Sequence, residues 1–218
     1  MRAVRWSVLV VALALAACTR QAVDPTVSAK IHKVALLEVG EPNSYRFETS
    51  GHVGQAFGAI GMAVKMADLD DRSDRLSGAM AIAGLQIGPE LTGAIERALR
   101  QKGTEVVRVA AWRPAANKFV DDYPAVPPDV DAVLDTRITL AGYFSAALGG
   151  WRPELIVETR LVAPGDHRTL GVRGIKQGVT DPAYAFPGYH DVLASPDRAA
   201  AGLRAALEPL SAKIAQLK

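Results

Sequence analysis

The chain holds a single cysteine, at position 18, directly after an unbroken apolar run over residues 8–17. One cysteine forms no internal disulfide and supplies no Cys-based zinc or iron–sulfur site, so the rest of the chain must fold on a buried core alone. With 218 residues, 49% of them hydrophobic, the chain can bury the core of one ordinary domain and is not a disordered sequence. The apolar run is too short for a membrane span of about 20 residues. With Arg2 and Arg5 ahead of it, it has the order of a signal peptide, a basic region and then an apolar one.

The run ends in Leu15-Ala16-Ala17-Cys18. Here the sequence resembles bacterial lipoproteins, whose lipobox of an aliphatic residue, two small ones and Cys is cut before the Cys, which is then acylated. The resemblance implies a signal peptide over residues 1–17, a lipid on Cys18 and, because Thr19 and not Asp comes next, sorting to the outer membrane with the body on its periplasmic face. An ordinary secretory signal abutting a cysteine is the alternative. Cleavage takes away two basic residues and no acid, leaving 23 of each sign. A balanced charge gives no nucleic-acid signature, and attraction to anionic lipid is not implied either.

Residues 18–30 are polar in composition and read as a tether, and residues 31–218 as one α+β domain. KVALLEV (33–39) is apolar on both faces and suits a central strand; residues 40–50 read as a loop. Residues 51–87 form a Gly/Ala-rich insertion, expected as two helical stretches separated by a charged turn, DLDDRSDR (68–75). Pro89-Glu90 opens an amphipathic helix that Gly103 stops. Further strands are expected at 104–110, 132–140, 155–162 and 170–177, with a proline-rich loop over 112–129. A terminal helix begins near Pro196, and Pro209 divides or kinks it.

This order predicts a two-layer sandwich, a mixed and mostly antiparallel sheet with helices on one face. The expected directions place the second strand parallel to the first, with the remaining three alternating. The order resembles the small α+β domains of curli-secretion and penicillin-binding-protein-activator lipoproteins, and the amino-terminal domain of the Tol-system propeller protein. The segments VALLEVGEP, ALRQKGTEVV and AYAF before a terminal helix also resemble an uncharacterised group of proteobacterial outer-membrane lipoproteins. These resemblances imply a fold and a compartment, and assign no activity or site residue.

No nucleophile elbow, phosphate loop or zinc-protease motif occurs. His32, His52, His167 and His190 are scattered, without metal-ligand spacing. Asp68, Asp70, Asp71 and Asp74 lack the glycine and glutamate of a calcium loop. The expectation is a protein that is not an enzyme and carries no cofactor or metal beyond the lipid, acting as a structural or regulatory partner of an envelope complex. The alternative is a periplasmic small-ligand binder or hydrolase that uses the aromatic loops as a pocket.

Two groups of residues are candidate contacts. Gly54, Gly58 and Gly61 allow close helix packing, either inside the fold or in self-association. Trp151, Tyr184, Phe186 and Tyr189 are expected at the tethered edge of the sheet, either resting on the membrane or capping the core. Trp112 and Tyr123 belong to the loop on the opposite edge, facing a partner.

Overall fold

A computed structural model describes residues 23–49, 58–115, 117–146 and 150–217. Its elements run α1 (Pro25–Ser28), β1 (Lys33–Leu37), β2 (Arg46–Thr49), α2 (Gly58–Ile82), α3 (Ile87–Gln101), β3 (Glu105–Val109), β4 (Ala132–Ala146), β5 (Gly150–Val162), β6 (Thr169–Gly178), α4 (Tyr189–Leu193), α5 (Pro196–Ala205) and α6 (Leu207–Ile214). The strands form one mixed sheet in the order β3-β1-β4-β5-β6, with β2 also on β4. The fold is α+β, with the helices on one face.

Alternation along β1 explains the two layers. Val34 and Leu36 point into the helix side with Leu91, Ile95 and Leu99 of α3, while Ala35 and Leu37 point to the other face with Val120, Val130, Val133 and Val162. Helix α3 ends as the sequence requires: Gly103 has φ +75°, and Thr104 N–H closes back on the Leu99 carbonyl at 3.1 Å. The terminal helix divides at Ala206, with Pro209 in the first turn of α6, where its missing N–H removes no helical hydrogen bond.

Three sequence expectations change. The charged link 68–75 is not a turn: α2 continues through it, carried by the i,i+4 pairs Asp68–Arg72 and Asp71–Arg75. The stretch read as a loop over 40–50 contains β2, which is too short to show a periodicity. Ser77 and Ser73 of α2 accept the Tyr45 and Phe47 amides at 2.9 and 3.2 Å. And β4 runs parallel to β1, as β3 does, so the three strands after β3 do not begin with a reversal. The cause is the crossover between β3 and β4, residues 110–131, which crosses the face opposite the helices and returns to the starting end of the sheet. It moves in the opposite direction to the β1–β3 crossover and on the opposite face, so both crossovers have the same hand.

The starting end is pinned by one carboxylate. Asp131 accepts the His32 and Lys33 amides at 2.7 and 2.8 Å, and the Asp131 N–H reaches the Lys33 carbonyl at 2.8 Å. Those two amide donors, first His32 and then Lys33, hold the Asp131 carboxyl below the usual carboxylate range. A depressed folded-state pKa contributes stability that is present above the unfolded value of about 3.9 and is lost as pH falls through the folded one. Asp131→Asn should therefore flatten the acid limb of stability against pH below about 4. Urea midpoints across that range check it, and an unchanged limb would assign the acid sensitivity elsewhere.

Candidate functional site

The crossover over residues 110–131 has no helix to stiffen it, and a buried charge does that work instead. Alternation in β4 puts Asp135 on the face under the crossover, where it is fully buried. Its carboxylate faces Arg113 Nη1 at 2.8 Å and Arg160 Nη2 at 3.3 Å. It also accepts the Val120 N–H at 3.1 Å and the Tyr123 hydroxyl at 3.2 Å. Arg113 spends its remaining donors on the Glu38 and Lys118 carbonyls, at 2.9–3.2 Å. Phe119 lies between two guanidiniums, 4.3 Å from that of Arg137 and 4.4 Å from that of Arg160. Burial first, and then the Asp135 charge, raise the Tyr123 hydroxyl well above its ordinary range, so it stays a donor to that carboxylate.

The lock holds up one residue that makes no use of it. Trp112, next to the buried Arg113, is 81% exposed. Its chain neighbours Ala111 and Arg113 line a 290 Å³ cavity with Glu38, Val39 and Gly40, and Glu38 and Val39 also line a 120 Å³ notch with Pro89, Thr92 and Arg108. An exposed indole on an immobilised backbone loses little freedom on contact with a partner, which is how aromatic anchors act in interfaces.

The cavity lies outside the carboxyl ends of parallel strands, where open α/β sheets bind ligands, and Pro89 in the first turn of α3 lines the adjoining notch. The amides of that turn are already occupied. Glu41 accepts the Ile87 N–H at 3.0 Å and the Gly88 N–H at 2.8 Å, and the Tyr45 hydroxyl at 2.7 Å. Gly88 lets the 39–41 backbone come this close: a Cβ there would stand 2.7 Å from the Val39 carbonyl oxygen. A side chain of the protein itself thus fills the place where an anionic ligand would bind.

The other aromatic candidates are distributed differently from expectation. Because β4 is parallel to β1, the β4–β5 hairpin rises at the end of the sheet away from the β1 start. Trp151 and Phe186 there are 7% and 2% exposed and form a β-bridge to each other. Phe47 packs edge-on against Trp151 at 4.9 Å and Tyr189 at 6.0 Å, and Tyr143 against Phe186 at 5.5 Å. Tyr143 donates to the Ala199 carbonyl at 2.9 Å. These rings cap the core under α4 and α5, and Trp151 and Phe186 present no surface to a membrane. Tyr184 and Tyr189 are half-buried beside them, and Tyr123 is half-buried over Asp135. Gly58 and Gly61 lie in α2, whereas Cys18, Gly54 and His52 lie outside the described residues. Among the described residues no three His, Cys, Asp or Glu side chains converge as metal ligands.

Asp135 escaped sequence reasoning because its partner Arg113 is distant in sequence; the one available signal was an acid in the middle of a strand between Leu134 and Ile138. No family model matches the chain, and no curated protein matches it. Among solved structures it is similar to the PelC dodecamer from Paraburkholderia phytofirmans, at TM-score 0.41 and 13% identity, over 85% of this chain and 87% of that one. It is also similar to protein XCC0632 of Xanthomonas campestris, described under the family DUF330, at TM-score 0.45 and 12% identity, over 90% and 88% of the two chains. The hypothetical protein CT253 of Chlamydia trachomatis matches at TM-score 0.41 and 12% identity, over 86% and 97%.

Removing one partner of a buried ion pair leaves the other charged and unpaired, at about 3–5 kcal/mol. Asp135→Ala should cost that much in urea unfolding and open the 110–131 crossover to limited proteolysis. A variant as stable and as protease-resistant as the parent would show that the apolar contacts of Val120 and Val130 suffice.

Proposed function

We propose that this protein is a lipid-anchored envelope protein at the periplasmic face of the outer membrane, which holds a partner protein and catalyses no reaction. The observation that carries the proposal is the order of basic, apolar and small residues ending at Cys18, the chain's one thiol. No helix among the described residues is long and apolar enough to cross a membrane. In this reading two or more acyl chains on Cys18 supply the membrane attachment, at about 0.8 kcal/mol per buried methylene.

Partner holding is favoured over ligand binding by the rim itself. Its amide site at the start of α3 is taken by Glu41, while its one large exposed aromatic, Trp112, is held ready on a locked loop. The partner in this reading is an envelope protein that seats Trp112 in a pocket of its own.

Two substitutions test the two halves. Cys18→Ser should abolish fatty-acid labelling and leave uncleaved precursor; retained label would overturn the anchor. Trp112→Ala should leave the thermal midpoint unchanged, being an exposed substitution worth about 0.5 kcal/mol or less to the fold. It should reduce several-fold the recovery of a partner crosslinked in intact envelopes. Equal recovery with and without the indole would overturn the rim as the contact, and size-exclusion of the same variant reads self-association separately.

A further inference from the structure

Composition alone makes residues 18–30 a tether, but the chain is already docked at Val23. Asp24 caps α1 by accepting the Thr26 N–H at 2.8 Å, and Pro25 occupies the first helical position. Val23 and Val27 pack against the core. The receiving strand is shaped for this: a Cβ on Gly171 of β6 would fall 2.4 Å from Val23 Cγ2 and 3.0 Å from its backbone nitrogen. A side chain at that position is incompatible with the docked segment. Between Val23, Pro25 and Ser28 on one side and Val172, Arg173, Gln216 and Leu217 on the other lies a 380 Å³ opening, next to the point where the chain leaves toward residue 22.

We infer that the β6 edge, together with the end of α6, is the side of the anchored protein that rests on the phospholipid surface, and that the β3 edge with Trp112 points away from it. This rests on the lipid-anchor reading proposed for Cys18. Five Cα steps separate Cys18 from Val23, a reach of at most about 18 Å. The sheet from β6 to β3 spans four strand intervals of about 4.8 Å, or about 19 Å before side chains are added. The leash is therefore too short to carry the anchor round to the β3 edge. Arg173 is exposed beside Val23 on the anchored side and has no carboxylate partner among the described residues, which suits a phosphate headgroup. The docked segment thus serves as an orienting device: it fixes which side of the body a lipid at Cys18 draws down.

The chain's own tryptophans report this. Loss of residues 1–17 removes Trp6 and leaves exposed Trp112 and buried Trp151. Full-length protein, processed in cells, is checked by mass spectrometry for acylated Cys18 and reconstituted in phosphatidylethanolamine–phosphatidylglycerol vesicles containing brominated lipid. The double variant Trp112→Phe/Gln216→Trp moves the exposed indole to the β6 side. Its emission should be quenched by brominated lipid several-fold more than that of the parent, whose Trp112 should instead respond to aqueous acrylamide. Gly171→Val, added to the double variant, should displace Val23 and erase the lipid quenching; Val23→Ser serves the same purpose should the first variant fail to fold. Equal lipid quenching at positions 112 and 216 in acylated protein, or quenching that survives undocking, overturns the orientation and leaves the anchor standing. Protein without the acyl mass overturns both.

Discussion

A single buried carboxylate, Asp135, decides how this sheet can be covered on its second face. Burying an ion is unfavourable unless its lone pairs are met, and Asp135 meets them with two guanidiniums, one amide and one hydroxyl. Three of those donors, from Arg113, Val120 and Tyr123, belong to the β3–β4 crossover, so the charge is satisfied only when the crossover lies flat on the sheet. A helix on that face would bring an apolar stripe and no donors to a carboxylate at this depth. The irregular crossover brings backbone and side-chain donors together, and its proline content limits the conformations it loses on folding. The parallel placement of β4 depends on that cover.

Close backbone approach supplies a second constraint, and Gly88 and Gly142 are two of the places where glycine permits it. At Gly88 it lets Glu41 reach the first amides of α3. At Gly142 a Cβ would stand 1.9 Å from the Arg46 carbonyl oxygen, so β2 can lie beside β4 only without a side chain there. Strand β4 is long enough to pair with β1 over Ala132–Leu134 and with β2 over Gly142–Ser145. The two short strands occupy one column of the sheet, and the stretch between them arches away, leaving a 180 Å³ gap beside Ile138, Thr139 and Leu140. A bulge in the β4–β5 ladder falls at this height, between Ile138 and Leu140, where the partner strand on the other side is missing.

Much of this was legible in the sequence, and most of what was not depends on contacts between residues far apart in the chain. Strands β1, β3, β5 and β6, helix α3 and the division near Pro209 carry their signal within a few residues, in alternation, capping and proline placement. Strand β2 carries none, since four residues with Phe47 as the one buried side chain are indistinguishable from a turn. The direction of β4 is not local either, because it depends on which face residues 110–131 cross, and that is decided by Asp135 meeting Arg113. The charged stretch 68–75 is a different case. Its acids and bases stand four apart, a helical spacing that hydropathy alone records only as a polar break. For Trp151 and Phe186 the sequence leaves membrane contact and core capping both open, because each sits next to a turn, and the sheet's polarity decides for the cap under α4 and α5. Of the rim, Trp112 was visible as a residue type, but the lock that makes its backbone rigid was not.

The two faces of the sheet thus divide the work of the molecule by the kind of interaction each uses. The helix side is held by non-directional burial, with aromatic rings at one end and aliphatic side chains along α3, and tolerates shape-conserving change. The opposite side adds to its small apolar cluster directional bonds converging on Asp135, so Arg113, Val120 and Tyr123 are held in one geometry with little freedom left to lose. A contact residue placed on the helix side would have to leave the core to be used, and would destabilise the fold in doing so. Placed next to Arg113, it is exposed in the folded state while its neighbour is among the most tightly bonded side chains in the structure. Stability and availability are therefore separated by one peptide bond, which is why an indole can stand in water here without weakening the fold that presents it.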